Sequence, residues 1–410
     1  MSRLRAAAAR RVAFRALEGL RGGSLVLRYP DGRGRRFGDG AAAPVVVELR
    51  RPDAFWDALA RGARVGFGDS YVAGDWDADD LPGLVALLLR NLEAAGEHPL
   101  VRRLQRLQEL RPDRSPRQTL AAAPGSVQAH YDLGNDLFAL MLDATMTYSC
   151  AYWEEPRQTL EQAQRAKLRR VCEKLLLGPD DHVLEIGCGW GSFALHAAAE
   201  HGCRVTGVTL SPRQAELARQ RVREAGLERL VEIRVQDYRH VEGTFTRIAS
   251  IEMLEAVGLA EYGAFFRTCD RLLARDGLAV VQTIGMPDHR FERYRRTTDW
   301  IQRTVFPGSL LPSLEALARA VASTRLMIVG LEEIGIFYAR TLREWRRRFQ
   351  ARVEEVRRLG YDRRFERTWT FYLASCEAAF ATRALRDMQL VLTRPLNGSL
   401  PVRPSARITF

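Results

Sequence analysis

Short apolar runs alternate with helix-period stretches from about residue 180 onward. "HVLEI", "RVTGVTL", "VEIRV", "RIASIEM" and "LAVVQTI" are apolar on both sides and too short for helices. Such runs predict strands buried on both faces of a sheet. The stretch after "RVTGVTL" opens at Ser211-Pro212, an N-cap and first-turn pair that starts a helix. Strands alternating with helices predict the α/β class, with a parallel sheet wound on both faces.

The first hundred residues follow a different pattern. "LVLRYPDGRGRRFGDG" and "PVVVELRRPD" read as strands around a Gly-rich turn. "AFWDALARGARVGFGDSYVAGDWDADDLPGLVALLLRNL" then reads as helix, turn and helix, which makes this region α+β. The arginines of "SRLRAAAARRVAFRALEGL" are spaced as on an amphipathic helix, and no apolar signal-peptide core accompanies them. Either a basic surface helix or a transit-like segment fits that spacing. A polar, Pro- and Arg-rich stretch at 110–126 has linker composition, which divides the chain into 1–109, 110–126 and 127–410. No apolar run reaches the ~18 residues of a membrane span.

Charge narrows the partners. The 410 residues carry a net +12, almost all of it arginine; Lys167 and Lys174 are the two lysines. That balance favours an anionic partner, either nucleic acid or an anionic lipid surface. No RRM, KH or zinc-finger signature supports nucleic acid. The six cysteines, at 150, 172, 188, 203, 269 and 376, form no C-x-x-C pair. A zinc site or disulfide framework is therefore not expected, and the usage fits a cytoplasmic protein.

The chemistry begins at "VLEIGCGWG". Glu185 stands at a strand end, followed by Gly187, Cys188, Gly189 and Gly191 leading into a helix. Glycines allow a tight turn and close approach of a ligand to backbone. The dinucleotide spacing G-x-G-x-x-G fails here, and E-x-G-x-G-x-G is the pattern of S-adenosylmethionine (SAM)-dependent methyltransferases. The second strand end brings Thr209, Leu210, Ser211 and Gln214 to the same crevice. The third brings Gln236 and Asp237, the latter placed to accept from an adenine amino group.

Longer motifs carry a resemblance. "HYDLGNDLFALMLDATMTYSCAYW", "VLEIGCGWG", "IEMLEAVG", "QRTVFPGSLLPS", "YARTLREWRRRF" and "FYLASCEAAF" are similar to the cyclopropane-fatty-acid synthase family. The resemblance implies a Rossmann-like class I methyltransferase domain with a smaller accessory domain, implicated in dimer formation and lipid engagement. It implies SAM as methyl donor, an unsaturated phospholipid as substrate, and a homodimer at the inner face of the cell membrane. It further implies a bicarbonate ion as base, held by Cys150, Glu255, Ile284 and Tyr338, with Tyr148 and Ser149 near the cofactor. Cys376 matches another family cysteine. Two positions depart from the family: Gln282 stands in place of a histidine ligand, and Ala256 follows Glu255 where a second histidine is usual.

The chemistry this implies is attack of an alkene on the sulfonium methyl, then loss of a proton from the cation to a positioned base. A dry pocket protects the cation from water, and Phe306, Trp300 and the aromatics of "YSCAYW" are candidates to line it. Direct closure gives a cyclopropane. A prior hydride shift gives a methylene branch of the 10-methylene-stearoyl type, which a separate reductase converts to a methyl branch. Glutamine donates a hydrogen bond but cannot ionise or relay a proton. The two departures therefore point to slower deprotonation and a methylene-branched product, with the cyclopropane as the alternative. A methyltransferase acting on RNA or a non-catalytic lipid-binding module are the more distant readings.

Overall fold

The computed structural model describes residues 2–40, 43–97 and 133–398; the linker stretch 110–126 lies outside them. Seven strands form the larger sheet in the order β10-β11-β9-β8-β5-β6-β7. Its parallel part holds the five strands the apolar runs predict: β5 (His182–Ile186), β6 (Arg204–Thr209), β7 (Val231–Val235), β8 (Phe245–Ile251) and β9 (Leu273–Gly285). Two further strands, β10 (Met327–Glu333) and β11 (Arg386–Thr393), extend the sheet beyond β9 through antiparallel ladders. Neither reads as a strand in the sequence. β11 carries Asp387 and Gln389 fully buried among its apolar residues, which breaks the expected pattern.

Chain order reverses at β5, which has β6 on one side and β8 on the other. That switch point opens a crevice at the strands' carboxyl ends. Ser211 caps the helix Pro212–Glu224 as predicted, accepting from the Gln214 N–H.

The N-terminal region builds a small sheet, β2-β1-β3-β4, from Gly34–Gly38, Ser24–Arg28, Val45–Leu49 and Trp76–Ala78. β4 lies in the stretch that reads as a turn. The arginine-rich segment is a helix, Ser2–Glu18, that sets Phe14 against Phe37 and edge-on to Trp56. Gly62 interrupts the helix Pro52–Val72 with extended backbone, so the chain bends there.

This layer packs on the region that carries the larger sheet instead of standing apart. One apolar cluster joins Leu25, Leu49 and Trp76 to Trp369 and Phe371 of the helix Arg363–Ala381. Arg367 from that helix donates to the Tyr71 and Trp76 carbonyls at 2.7 and 3.0 Å. Trp300 completes the seam: its indole donates to Asp69 at 3.1 Å and its ring lies edge-on to Phe371. A Cβ on Gly68 would sit 2.6 Å from the Trp300 ring, so only glycine permits this approach. Among the described residues no helix is long and apolar enough to cross a membrane.

Trp300→Ala removes a buried ring and a hydrogen bond from this seam, and should lower stability by about 3 kcal/mol. Denaturant unfolding monitored by circular dichroism measures the loss; a change below about 1 kcal/mol would mean that the seam does not hold the two regions together.

Candidate active site

Two cavities lie at the carboxyl edge of the larger sheet. The first, about 180 Å³, is walled by the ends of β5, β6, β7 and β8. Cys188, Leu210, Gln214 and Gln236 face it, together with Tyr148 and Ser149. Gly187 and Gly189 have φ of 83° and 50°, backbone that favours glycine. A Cβ on Gly187 would strike Met253, whereas a Cβ on Gly189 would meet nothing within 4 Å, because it would project into open space.

Glu185 is buried on the cavity wall, and its Oε2 has no partner. Burial pushes its carboxyl up to about 8, against the opposing pull of Lys167. An unpartnered carboxyl oxygen beside open glycine backbone suits the ammonium end of an amino acid-bearing cofactor. The donor set therefore fits SAM. Thr209 also lines the cavity and donates to Gln214 Oε1 at 2.9 Å. Ser211 does not reach the wall; its hydroxyl is the helix cap. Asp237 lines the cavity while pairing with Arg239 at 2.5 Å. Burial raises its carboxyl, but the Arg239 bonds outweigh that and hold it low.

The second cavity, about 190 Å³, is lined largely by apolar groups, including Phe306, Leu342, Phe380 and Leu385. Phe306 takes the predicted place on its wall. Trp300, Tyr152 and Trp153 do not: Trp300 belongs to the seam described above, Tyr152 packs on Phe337, and Trp153 donates to Thr341. Cys376 lines this cavity but makes none of the hydrogen bonds of the carboxylate cluster described next. Tyr148, Glu252 and Ala256 line both cavities, so the two spaces meet there.

That junction holds a cluster of acids, Asp387 buried and Glu252 and Glu255 half-buried. Glu252 Oε1 accepts from the Cys150 backbone N–H and from Gln282 Nε2, both at 2.8 Å. Its Oε2 accepts from the Tyr338 hydroxyl at 2.6 Å. Glu255 Oε1 accepts from the Ile284 N–H and, at 2.9 Å, from Thr283. Its Oε2 has no partner. Every donor that the resemblance assigns to bicarbonate thus donates to a carboxylate of the chain itself. Cys150 contributes through its N–H; its thiol is buried, turned toward the Ala151 and Ile334 carbonyls, and pushed well up by burial. A nucleophilic Cys150 is not consistent with that setting.

Three members of the cluster were not identified from sequence. Glu252 precedes Glu255 by three residues in the same motif and reads there as an ordinary acid. Asp387 accepts from Gln282 Nε2 at 3.0 Å and comes from the unrecognised β11. Lys167, fully buried, donates to the Ser149 hydroxyl at 2.8 Å, and its charge acts on Glu252, Asp387 and Glu185. The scarcity of lysine in an arginine-rich chain was the one available signal for it.

Comparison with known proteins identifies the family. A family model described as mycolic acid cyclopropane synthetase matches residues 118–390. The chain belongs to the mycolic acid cyclopropane synthetase family. It is 39% identical over 381 residues to the tuberculostearic acid methyltransferase UfaA1 of Mycobacterium tuberculosis, covering 90% of this chain and 88% of that one. It is 37% identical to the cyclopropane-fatty-acyl-phospholipid synthase of Escherichia coli, covering 88% and 91%. The crystal structure of mycolic acid cyclopropane synthase CmaA1 with SAH and CTAB superposes with a TM-score of 0.62 at 30% identity. It covers 66% of this chain and 98% of that one. The larger sheet is accordingly the class I methyltransferase fold.

Two expectations follow from this geometry. Gly189→Val fills the open space above the glycine turn and should weaken SAM binding at least about tenfold, or 1.4 kcal/mol. Calorimetry on a variant that retains native circular dichroism checks this, and unchanged affinity would remove the turn from the cofactor site.

The second concerns pH. Burial, then the neighbouring Glu252, pushes Glu255 up from 4.5 to about 8. The folded state therefore holds a proton that the unfolded chain releases. Stability from this group is full below 4.5 and is lost as pH rises through about 8. Thermal melts should fall across that window and fall less steeply in Glu255→Gln. Parallel profiles for the two proteins would contradict the assignment.

Proposed function

We propose that this chain transfers the methyl carbon of SAM to the cis double bond of an unsaturated acyl chain in a membrane phospholipid. The observation that carries the reading is the junction of the two cavities, one suited to SAM and one largely apolar, at Tyr148, Glu252 and Ala256. When bound, SAM supplies an electrophilic sulfonium methyl. Glu185 and the glycine turn orient the cofactor's amino acid end. Phe306, Leu342 and Phe380 exclude water from the acyl chain, so a cation formed there is not quenched. The ring faces of Tyr148 and Tyr372, joined through their hydroxyls at 2.9 Å, can stabilise that cation. The net charge of +12 favours an anionic lipid surface.

Bicarbonate, which the resemblance implies, does not fit the cluster, because Glu252 and Glu255 already take its donors.

The product reading is a methylene branch. Gln282 and Ala256 support it, as does the 39% identity to a relative named for tuberculostearic acid, a methyl-branched acid. A methyl branch would then need a reductase that consumes this product. The cyclopropane reading draws on the 37% identity to the Escherichia coli synthase. SAM labelled in its methyl group, incubated with an oleoyl phospholipid, distinguishes them by proton NMR. Vinylidene protons are expected; high-field cyclopropane protons alone would replace the main reading with the second.

A further inference from the structure

We propose that the Glu252 carboxylate is the base of this enzyme, standing where the family pattern calls for a bound bicarbonate. The inference rests on the methyl-transfer reading above and identifies the group that completes it. Its first support is geometric. A backbone N–H from the loop at Cys150, the Tyr338 phenol and the Gln282 amide converge on one anionic group, and that group is a side chain. Glu252 lines both the cofactor cavity and the apolar cavity, where a transferred carbon would pass between them.

The backbone is the second support. Glu252 has φ 49°, a conformation that costs a residue with a Cβ and costs glycine little. It is held there by its own N–H, which donates to the Gln282 carbonyl at 2.8 Å. Strain of this kind persists where the surrounding structure fixes it, and here the fixed object is a carboxylate at the cavity junction.

Gln282 is the third. Its Oε1 accepts from Gln389 Nε2 at 2.9 Å, which directs its Nε2 toward Glu252 and Asp387. The Gln389 Oε1 in turn accepts from Lys174, itself 2.6 Å from Glu332. The glutamine is thus held as a neutral donor to carboxylates. A histidine there could serve an exchangeable ion; a buttressed glutamine serves a fixed one.

In the step itself, a C–H bond of the transferred carbon breaks and its proton passes to a Glu252 oxygen. The C–H electron pair becomes the new carbon–carbon bond, either the methylene double bond after a hydride shift or the third side of a ring. The cation is neutralised, and no oxidant or reductant is needed. Neighbouring groups favour this division of labour. Burial raises both Glu252 and Asp387, but the Tyr338 and Cys150 bonds and the Lys167 charge oppose it at Glu252. At Asp387 burial comes first and the Glu252 charge adds to it, so the Asp387 carboxyl is pushed well up.

The test compares wild type with Glu252→Gln and Glu252→Gly, the latter chosen because glycine accepts this backbone. In buffer purged of carbon dioxide, wild type should turn over oleoyl phospholipid at the rate seen with added bicarbonate. Glu252→Gln should be slower by roughly 100-fold or more. Glu252→Gly should be comparably slow in purged buffer and recover at least about tenfold when bicarbonate is added. A wild type that stops in purged buffer and restarts with bicarbonate would overturn the proposal, as would Glu252→Gln at the wild-type rate. A second measurement needs no lipid: titration with carbon-13 bicarbonate, read by NMR, should give saturable binding to Glu252→Gly and none to wild type. Saturable binding to wild type would overturn the proposal even if the methyl-transfer reading failed. Failure of that reading would appear separately, as no methylated lipid from the wild type under any condition.

Discussion

A carboxylate buried between two cavities sets the terms for the rest of this structure. Taking such a charge out of water costs several kcal/mol, and it persists only where donors replace the lost hydration. Glu252 receives three, from the loop at Cys150, from β9 and from the helix Gly335–Ala351. Charge-assisted bonds contribute about 1.5–3 kcal/mol each, so the set is of the size needed to offset burial. Those donors are distant in the sequence, and only a fixed packing of sheet, loop and helix brings them together.

The same packing separates polar chemistry from apolar space. Glu252 stands where the cofactor cavity meets the apolar one, Glu255 lines the apolar one, and Asp387 joins them through Gln282. The buried Lys167 charge acts on Glu252 and Asp387. A cation generated at this junction has the Glu252 carboxylate on one side and hydrocarbon or aromatic faces on the others. Low local polarity strengthens that attraction and keeps water from competing.

The helix Arg363–Ala381 links this site to the N-terminal layer. Tyr372, Cys376 and Phe380 face the apolar cavity, while Phe371 and Arg367 hold the small sheet and its helices. The accessory region therefore supports one wall of the acyl space through a single element. Trp300 ties a second wall to the same layer, which is why a residue that reads as a channel aromatic stands at the seam.

The sequence alone determined the features that depend on neighbours along the chain. Apolar runs marked five strands of the larger sheet, Ser211-Pro212 marked a helix start, and the glycine turn at 187–191 marked the cofactor crevice. Family motifs carried Cys150, Glu255, Ile284 and Tyr338 to one place, and the structure brings those four together. Tertiary structure decided what those residues bind. Cys150, Glu252, Gln282, Tyr338 and Asp387 are spread over more than two hundred residues, and no local pattern says which acid the donors will meet. Asp387 and Gln389, polar residues inside a buried strand, hid β11 from its own periodicity. Glu252 looked like any acid beside a turn until folding set its side chain among three donors. Local periodicity reports which face of an element is dry; it carries no information about which distant groups will share that dry space.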